Sequence, residues 1–354
     1  MNGAHGLLQP GIGAALGAAL LFGAGTPLAK WLLMVVDPWL LAGLLYLGSG
    51  LGLTLYRLLR QGTTARLAPA EWPWLIGAVV AGGLVGPVLL MLGLSDMQAA
   101  GASLLLNAES VLTALLAWFV FRENFDRRIA LGMLAIVAGA LILSWPAAGR
   151  AESAFEQIWP ALAVLVACLA WAIDNNLTRR VSLADASWIA SLKGLAAGSV
   201  NLMLALALGA AWPSAPQIAG ALIVGLFAYG VSLALFVVAL RHLGTARTGA
   251  YFSVAPFFGA ALAVPLLGEP VGPRLLVAGA LMALGVWLHL TEHHGHEHTH
   301  AALEHDHEHE HDAHHQHAHD QPVPPGHRHS HRHRHEPLAH EHAHFPDAHH
   351  RHDH

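Results

Sequence analysis

The sequence has little charge and almost no cysteine. Only 12% of its 354 residues are charged, whereas 55% are hydrophobic. Soluble domains carry roughly twice that share of charge, so the composition excludes an ordinary soluble globular protein. The single cysteine, Cys168, lies in an apolar run and excludes an intramolecular disulfide framework. What remains is a membrane protein, set in a lipid bilayer.

The polar residues that are present gather at one end. From Glu292 onward there are 25 of the 28 His, 12 acidic residues and four Arg, while the first 291 residues hold 11 acids and 14 Lys and Arg. A bilayer core requires about 20 apolar residues in a helix. Ten stretches reach about that length, at 11–32, 38–58, 73–94, 99–121, 127–145, 158–178, 187–208, 216–239, 246–267 and 272–290. We therefore predict an all-α polytopic membrane protein whose first span is retained, followed by a disordered His-rich tail.

The stretch Ala99–Leu143 recurs 146 residues later as Thr245–His289, each an apolar run, a charged elbow and a second apolar run. At this offset Glu123 falls on Glu269 and Arg128 on Arg274. Five helices per copy is an odd number, so the copies enter the membrane in opposite senses and form an inverted repeat. The predicted boundaries are 8–146 for the first repeat, 157–290 for the second and 291–354 for the tail.

Lys and Arg indicate the orientation. With the N-terminus in the cytoplasm, the cytoplasmic loops carry ten Lys and Arg and the opposite loops carry three. This positive-inside bias predicts a multi-pass protein of the inner or plasma membrane with both termini in the cytoplasm.

Four short motifs resemble a known family, the EamA-type proteins of the drug/metabolite transporter superfamily. They are FGAGTPLAK at Phe22–Lys30, DP at Asp37–Pro38, FREN at Phe121–Asn124 and LGEP at Leu267–Pro270. The resemblance implies two five-helix repeats and transport of a small solute, with a cargo that ranges over amino acids, metabolites, nucleotide sugars and drugs. In such proteins the second helix of a repeat often carries a basic residue, a place held here by Lys193 but by Leu45–Tyr46 in the first repeat.

Glu109 is the first candidate site residue. It lies about ten residues into a predicted helix of about 23, near the bilayer midplane, where a charge costs at least about 2.5–3.5 kcal/mol. It therefore faces the bundle interior, is paired or is protonated. One interpretation is a carboxylate that couples transport to protons, with Asn107 beside it in the path. The other is a protonated structural acid bonded to Asn107 or Ser110.

A second set of polar residues ends the sixth helix. Asp174, Asn175 and Asn176 lie there, and Lys193 should lie at a similar depth on the next, antiparallel helix. They form either a structural salt bridge or a cytoplasmic gate and substrate contact. In the first helix, Gly25 and Pro27 predict a break where unwound backbone could face the substrate.

The tail alternates imidazole with carboxylate. Neutral imidazole suits Zn, Ni, Co or Cu, and the absence of a closed ligand register predicts a flexible, low-selectivity binder. A pH sensor and a solvated tail without a role are the alternatives. The candidate ligands are His305, His307, His309, His311, His314, His315, His317 and His319.

Together these patterns predict a secondary transporter rather than an enzyme. We expect a small solute to move by alternating access, most simply as export, with a proton as coupling ion and no required cofactor. No nucleotide-binding loop is present to supply ATP energy, and no nucleic-acid partner is indicated. The alternatives are a transition-metal transporter, with metal led to Glu109 and Asp174, and a membrane-anchored metal store or sensor that moves nothing.

Overall fold

The computed structural model describes the chain apart from residues 1–9, 61–68, 122–126, 146–153, 180, 182–184, 244–247, 249–250, 291–294, 301–303, 310–328, 335–337 and 344–354. The chain divides into two units, Met1–Glu292 and His293–His354, which are described separately.

The first unit is helical. Its α-helices are α1 Pro10–Leu33, α2 Pro38–Leu59, α3 Trp72–Ala78, α4 Gly86–Ser95, α5 Ala99–Leu105, α6 Ala108–Phe121, α7 Arg127–Ser144, α8 Ala154–Arg179, α9 Ala186–Ala207, α10 Ala215–Gly225, α11 Ser232–Leu243, α12 Ala255–Leu267 and α13 Pro273–Leu290. Each of the ten predicted membrane segments contains helix, which confirms an all-α polytopic membrane protein. Six helical stretches in the described part of the chain are long and apolar enough to cross a bilayer, and shorter apolar helices accompany them.

Local sequence explains several helix ends. Asp37 caps α2 by accepting hydrogen bonds from the amides of Trp39 and Leu40, and Pro38 starts the helix without a free N–H. Gly268 adopts φ 66° and ends α12 in the left-handed conformation. The DP and LGEP motifs are thus a start signal and a stop signal.

Equivalent helices of the two repeats pack against each other. Helix α2 lies along α9, and α7 lies along α13. The contact of α1 with α12 in one half corresponds to that of α8 with α6 in the other. These reciprocal contacts are those of two copies related by a pseudo-two-fold axis, as an inverted repeat requires.

Two helices contain π-helical segments at matching places. The first π segment, Val79–Val85, joins α3 to α4, and the second, Leu226–Val231, joins α10 to α11. Their first residues are 147 positions apart, so the feature belongs to both repeats. Single-turn π segments often occur at functional sites because their carbonyls are partly freed from the helix ladder.

The predicted fourth helix is discontinuous. Leu106 and Asn107 form a turn between α5 and α6, and the Asn107 amide bonds to the Leu104 carbonyl at 3.1 Å. Ser253 and Val254 make the matching turn before α12 in the second repeat. Glu109 is therefore in the first turn of a new helix rather than in the middle of a long one.

The predicted break in α1 is wrong. The helix continues through Gly25 and Pro27 for 24 residues. A side chain at Gly25 would meet Ala228, and one at Gly23 would meet the backbone of Gly259 at 3.0 Å. These glycines give close contact with helices of the other repeat, and Pro27 costs one backbone hydrogen bond without ending the helix.

The described residues of the second unit include short strands, within the stretch that the sequence predicted as a disordered tail. They are β1 Gly295–His300, β2 Glu304–His309, β3 His329–Arg334 and β4 Leu338–Ala343. β1 pairs with β4 and β2 with β3, both antiparallel. The alternation of residue types has the period of a strand, and backbone hydrogen bonds hold the pairs.

Candidate transport site

Glu109 accepts a hydrogen bond from an amide on α8. Asn175 Nδ2 donates to Glu109 Oε1 at 2.8 Å, and this contact ties α6 to α8. The carboxylate also lies in the first turn of α6, where the helix dipole favours negative charge. Among the described residues, no Lys or Arg lies within ion-pair distance of it. Its partner is thus neither of the neighbours, Asn107 and Ser110, expected from the sequence.

Asp174 and Lys193 form an ion pair between α8 and α9. Lys193 Nζ lies 2.5 Å from Asp174 Oδ1 and 2.7 Å from Oδ2, so it binds both carboxylate oxygens. Thr178 donates to Oδ1 at 2.8 Å from one turn further along α8. Asp174 is only 7% exposed, and each partner offsets the desolvation of the other.

The first π segment packs against Asp174 and accepts hydrogen bonds from side chains of three helices. The Gly82 carbonyl accepts hydrogen bonds from Tyr46 Oη at 2.7 Å and from Trp171 Nε1 at 2.9 Å. A methyl group at Gly82 would collide with the Asp174 carboxylate. Next to it, the Gly83 carbonyl accepts from Asn201 Nδ2 at 2.9 Å. Helices α2, α8 and α9 thus meet at the carbonyls that the π geometry frees.

Aromatic rings continue from Tyr46 into the second repeat. Tyr46 contacts Tyr229 of the second π segment with ring centroids 5.7 Å apart. Tyr229 packs edge-on against Phe22 of α1 at 5.9 Å, and Phe22 contacts Phe252 at 5.3 Å. Phe236 of α11 meets Phe252 at 4.9 Å. We call these five residues the aromatic cluster.

At one end of the bundle, charged side chains bind helix termini. Glu269, which follows the left-handed Gly268, accepts hydrogen bonds from the amides of Ala99 and Ala100 at 2.6 and 2.8 Å. It therefore caps α5 of the other repeat, the type of helix-terminal contact that the sequence indicated. Its counterpart Glu123 lies outside the described residues.

At the same end, α1 is tied to the terminus of α4. Lys30 Nζ donates to the carbonyls of Leu94 and Ser95 at 2.7 and 2.8 Å. These are the last carbonyls of α4, where the helix dipole favours a cation. The two repeats are thus joined across this end by Glu269 and braced by Lys30.

A second ion pair lies outside the membrane-spanning segments, where α9 begins. Asp185 is the N-cap of α9 and binds Arg57 of α2 at 2.7 Å. Partial burial raises the pKa of Asp185, but hydrogen bonds from Ser187, Arg57 and the Trp188 amide outweigh it and hold that pKa below its usual value.

The remaining predicted site residues lie apart from these contacts. Asn107 is buried and donates to the Leu104 carbonyl at 3.0 Å, whereas Asn176 donates to the Ala172 carbonyl at 2.8 Å. Both bonds stay local to their own segments and stabilise them. Pro27 lines an apolar cleft of about 430 Å³ between α1 and α12, together with residues such as Leu262 and Pro265.

Gly82, Trp171, Asn201 and the aromatic cluster were not predicted from the sequence. A signal for them was present: the chain has only four Tyr, and Tyr46 lies at the position where the second repeat has Lys193. The Gly82–Gly83 pair within a long apolar run was a second signal for close backbone contact.

Of the predicted metal ligands, His305, His307 and His309 occupy alternate positions of β2, whereas His311, His314, His315, His317 and His319 lie outside the described residues. The described part of the chain contains no cluster of three or more His, Cys, Asp or Glu side chains arranged to hold a metal ion.

The helical unit is similar to a known family of membrane proteins. The model of the EamA-like transporter family matches it twice, over residues 9–145 and 158–291. The chain belongs to the EamA-like transporter family. Membership of the EamA-like family means that the protein serves membrane transport of a small solute, and the two matches cover the two halves of the helical unit.

Several EamA-like relatives are similar over most of the chain. An uncharacterized transporter of Methanothermobacter thermautotrophicus is 28% identical over 291 residues, which is 77% of this chain and 83% of that protein. The uncharacterized inner membrane transporter YedA of Escherichia coli is 24% identical over 70% of this chain and 78% of its own length. A solved structure at 20% identity shares the fold, with a TM-score of 0.60 over 78% of this chain and 95% of that one.

One shorter relative is more similar over a part of the chain. The probable 4-amino-4-deoxy-L-arabinose-phosphoundecaprenol flippase subunit ArnE of Pseudomonas aeruginosa is 43% identical over 83 residues. The match covers 23% of this chain and 69% of that protein.

Proposed function

We propose that the protein is a proton-coupled secondary transporter that exports a small organic solute by alternating access, with Glu109 as the coupling carboxylate. The observation that supports this most is the Glu109–Asn175 contact at the start of α6. An ionised acid within the membrane costs free energy unless it is paired or protonated, so such residues commonly take part in transport. The Asn175 amide can donate a hydrogen bond to the ionised or the protonated form of Glu109.

The reciprocal helix contacts support the alternating-access part of the proposal. The two repeats are joined by Glu269 at the end where α4 terminates and α5 begins. In the proposed cycle this contact opens while the equivalent end closes, because inverted repeats can exchange conformations. By the positive-inside bias, the Glu269 end faces away from the cytoplasm, and in the proposed cycle its contacts separate when the site opens to the outside.

The test uses everted membrane vesicles that are acidified by respiration. Candidate solutes are added one at a time, and the loss of the pH gradient is followed with a fluorescent weak base. We expect at least one class of solute to dissipate the gradient with wild-type protein and not with Glu109→Gln. Asp96→Asn is the control, since Asp96 is exposed at the end of α4.

Two results would contradict proton coupling at Glu109. The first is an equal response of wild type and Glu109→Gln to the same solute at matched expression. The second is solute accumulation in the vesicles that persists unchanged after the pH gradient is collapsed.

We also propose that the tail binds a transition metal such as Zn, Ni, Co or Cu and so buffers or senses it. The support is compositional, because neutral imidazoles alternate with carboxylates around His305–His311. Equilibrium dialysis of the full chain against Zn²⁺ or Ni²⁺, compared with a chain ending at Thr291, tests this. Equal metal content in the two proteins would refute it.

A further inference from the structure

We propose that β2 and β3 form a ladder of three two-histidine sites for a divalent transition metal, each made of one histidine of β2 and the histidine opposite it on β3. This inference rests on the proposed metal binding of the tail and names the sites that carry it out. It follows from three observations: the register of the strand pair, the charges that favour that register and the return of the same pattern in β1 and β4.

The first observation is the register of the antiparallel pair. Every histidine of β2 lies opposite a histidine of β3, in the pairs His305–His333, His307–His331 and His309–His329. Opposed residues of an antiparallel pair share a face, with Cβ atoms about 4.5–5.5 Å apart. Alternate residues along a strand also share a face. The three histidine pairs therefore occupy one face of β2 and β3, as successive rungs of a ladder.

Each rung offers two imidazoles to one ion. In a tetrahedral site, two nitrogen ligands at about 2.0–2.1 Å from the metal are about 3.4 Å apart, a separation that imidazoles on opposed residues can reach. Two imidazoles are fewer than the three or four protein ligands of catalytic and structural zinc sites, so water completes the coordination. Neutral imidazole favours Zn, Ni and Cu over Mg or Ca. Each rung is thus an open site that can exchange its ion.

The second observation explains why the strands pair with histidine opposite histidine. Between the histidine rungs, Glu304 lies opposite Arg334 and Asp306 lies opposite Arg332. Opposite charges across an antiparallel pair stabilise it by about 0.2–1 kcal/mol each. A shift of one residue would lose both charge pairs and set histidines opposite arginines. The acids therefore favour the strand pairing on one face, and the imidazoles are left to bind metal on the other.

The third observation is that β1 and β4 repeat the pattern. Their register sets His296 opposite His342 and His298 opposite His340. Between these rungs lie two glutamates, Glu297 and Glu341, and like charges in opposed positions destabilise a strand pair. Opposed histidines are thus common to both strand pairs, whereas the charges between them attract in one pair and repel in the other. We assign the metal ladder to β2 and β3, where the strand pairing is favoured by charge.

The experiment compares two double variants that remove the same number of histidines. Bound Ni²⁺ is counted by equilibrium dialysis of the full chain in detergent, with glycine as a weak competing chelator. His307→Gln with His331→Gln removes one rung and leaves two. His307→Gln with His329→Gln breaks two rungs and leaves one. We expect the bound Ni²⁺ to fall by about one ion per chain in the first variant and by about two in the second.

The second variant is a stringent comparison because it leaves one histidine on each strand without its opposed partner. These two, His309 and His331, are diagonal neighbours about 7–8 Å apart, which is farther than opposed residues. A tail that binds metal with whichever histidines are near would lose equal amounts of Ni²⁺ in the two variants, and that result would overturn the proposal.

A third variant tests whether carboxylates bind the ion. Glu308 lies opposite Ser330 and takes no part in the charge pairs, so Glu308→Gln should leave the bound Ni²⁺ unchanged. A loss of Ni²⁺ in this variant would contradict sites built of imidazole alone.

Cross-linking tests the register without any metal. In a chain with Cys168→Ala, which removes the only native cysteine, His307→Cys with His331→Cys should form a disulfide on mild oxidation. Opposed Cα atoms are about 4.5–5.5 Å apart, within the range of about 4.4–6.8 Å that a disulfide spans. His307→Cys with His329→Cys is the control out of register and should cross-link much less. Equal cross-linking of the two, or none in either, would overturn the register on which the ladder depends.

The outcome is separable from that of the truncation. If the chain ending at Thr291 loses its metal while the two double variants lose equal amounts, the tail binds metal without the ladder, so this inference fails and the proposed metal binding stands. If the truncated chain keeps all its metal, both proposals fail.

Discussion

The Asp174–Lys193 pair can be tested by a double-mutant cycle. The variants are Asp174→Asn, Lys193→Met and the two combined. At 2.7 Å and an effective dielectric constant of about 20, the Coulomb attraction is about 6 kcal/mol, and desolvation of the two buried charges takes back much of it. Breaking such a pair from one side costs about 3–5 kcal/mol because the other charge is left buried and uncompensated.

For a unit of this size, that cost lowers the melting temperature by about 5–8 °C. The assay is thermal melting of monodisperse protein in detergent, followed by tryptophan fluorescence. The double variant leaves no uncompensated charge, so we expect it to recover most of the loss. If the double variant loses as much stability as the two single variants lose together, the reasoning is refuted, because the two groups would show no coupling.

The same cycle distinguishes a structural pair from a gate. If the double variant regains stability and also transports, the pair is structural. If it regains stability and does not transport, the pair acts in the transport cycle, and its separation is a step of that cycle.

Three further predictions follow from single contacts, each read as a melting temperature. Gly82→Ala should lower the melting temperature, because the new methyl group would clash with the Asp174 carboxylate at a cost of about 1–3 kcal/mol. The control is Gly13→Ala, which has open space around it and should leave the melting temperature unchanged. Equal melting temperatures for the two variants would contradict the packing argument. Glu269→Ala removes the cap of α5 and should lower the free energy of unfolding by about 0.5–2 kcal/mol, with a smaller loss for Glu269→Gln. An unchanged melting temperature would show that the cap does not contribute to stability. The pKa of Asp185 is lowered in the folded state. Ionised Asp185 therefore stabilises the folded protein above the unfolded pKa of about 3.9, and this stabilisation is lost as the pH falls through the folded pKa. The difference between wild type and Asp185→Asn should therefore shrink below about pH 4, and a difference independent of pH would contradict the charge pairing.

The sequence predicted the helices and their repeat because bilayer length and apolar composition constrain them strongly. Asp37–Pro38 and Gly268 mark helix ends by local chemistry, and such signals need no tertiary information. The site itself was harder to predict. Glu109, Asp174 and Lys193 stand out as charges in apolar runs, yet the partner of Glu109 proved to be Asn175, on a helix 66 residues away in sequence.

The interruptions of the membrane helices were the features least predictable from the sequence. Gly25 and Pro27 indicate a break by local propensity, but packing of α1 against the second repeat keeps the helix intact. The break at Asn107 lies where the chain has no glycine or proline, whereas the π segment contains Gly82–Gly83 and is followed by Gly86–Pro87, a signal that does not specify π geometry. The carbonyls of the π segment accept hydrogen bonds from Tyr46, Trp171 and Asn201 on other helices, and such long-range partners are absent from any local pattern.

The crossing filled by Asp174 and Lys193 in one half and by Gly25 and Tyr46 in the other has a consequence for how the chain arose. Two identical subunits must place the same residue at both copies of a position, so an acid at one would face an acid at the other. Joining the halves into one polypeptide removes that constraint. The two copies of this crossing could then differ, with an ion pair in the second repeat and Gly25 and Tyr46 in the first, and neither half could any longer be exchanged for a duplicate of its partner.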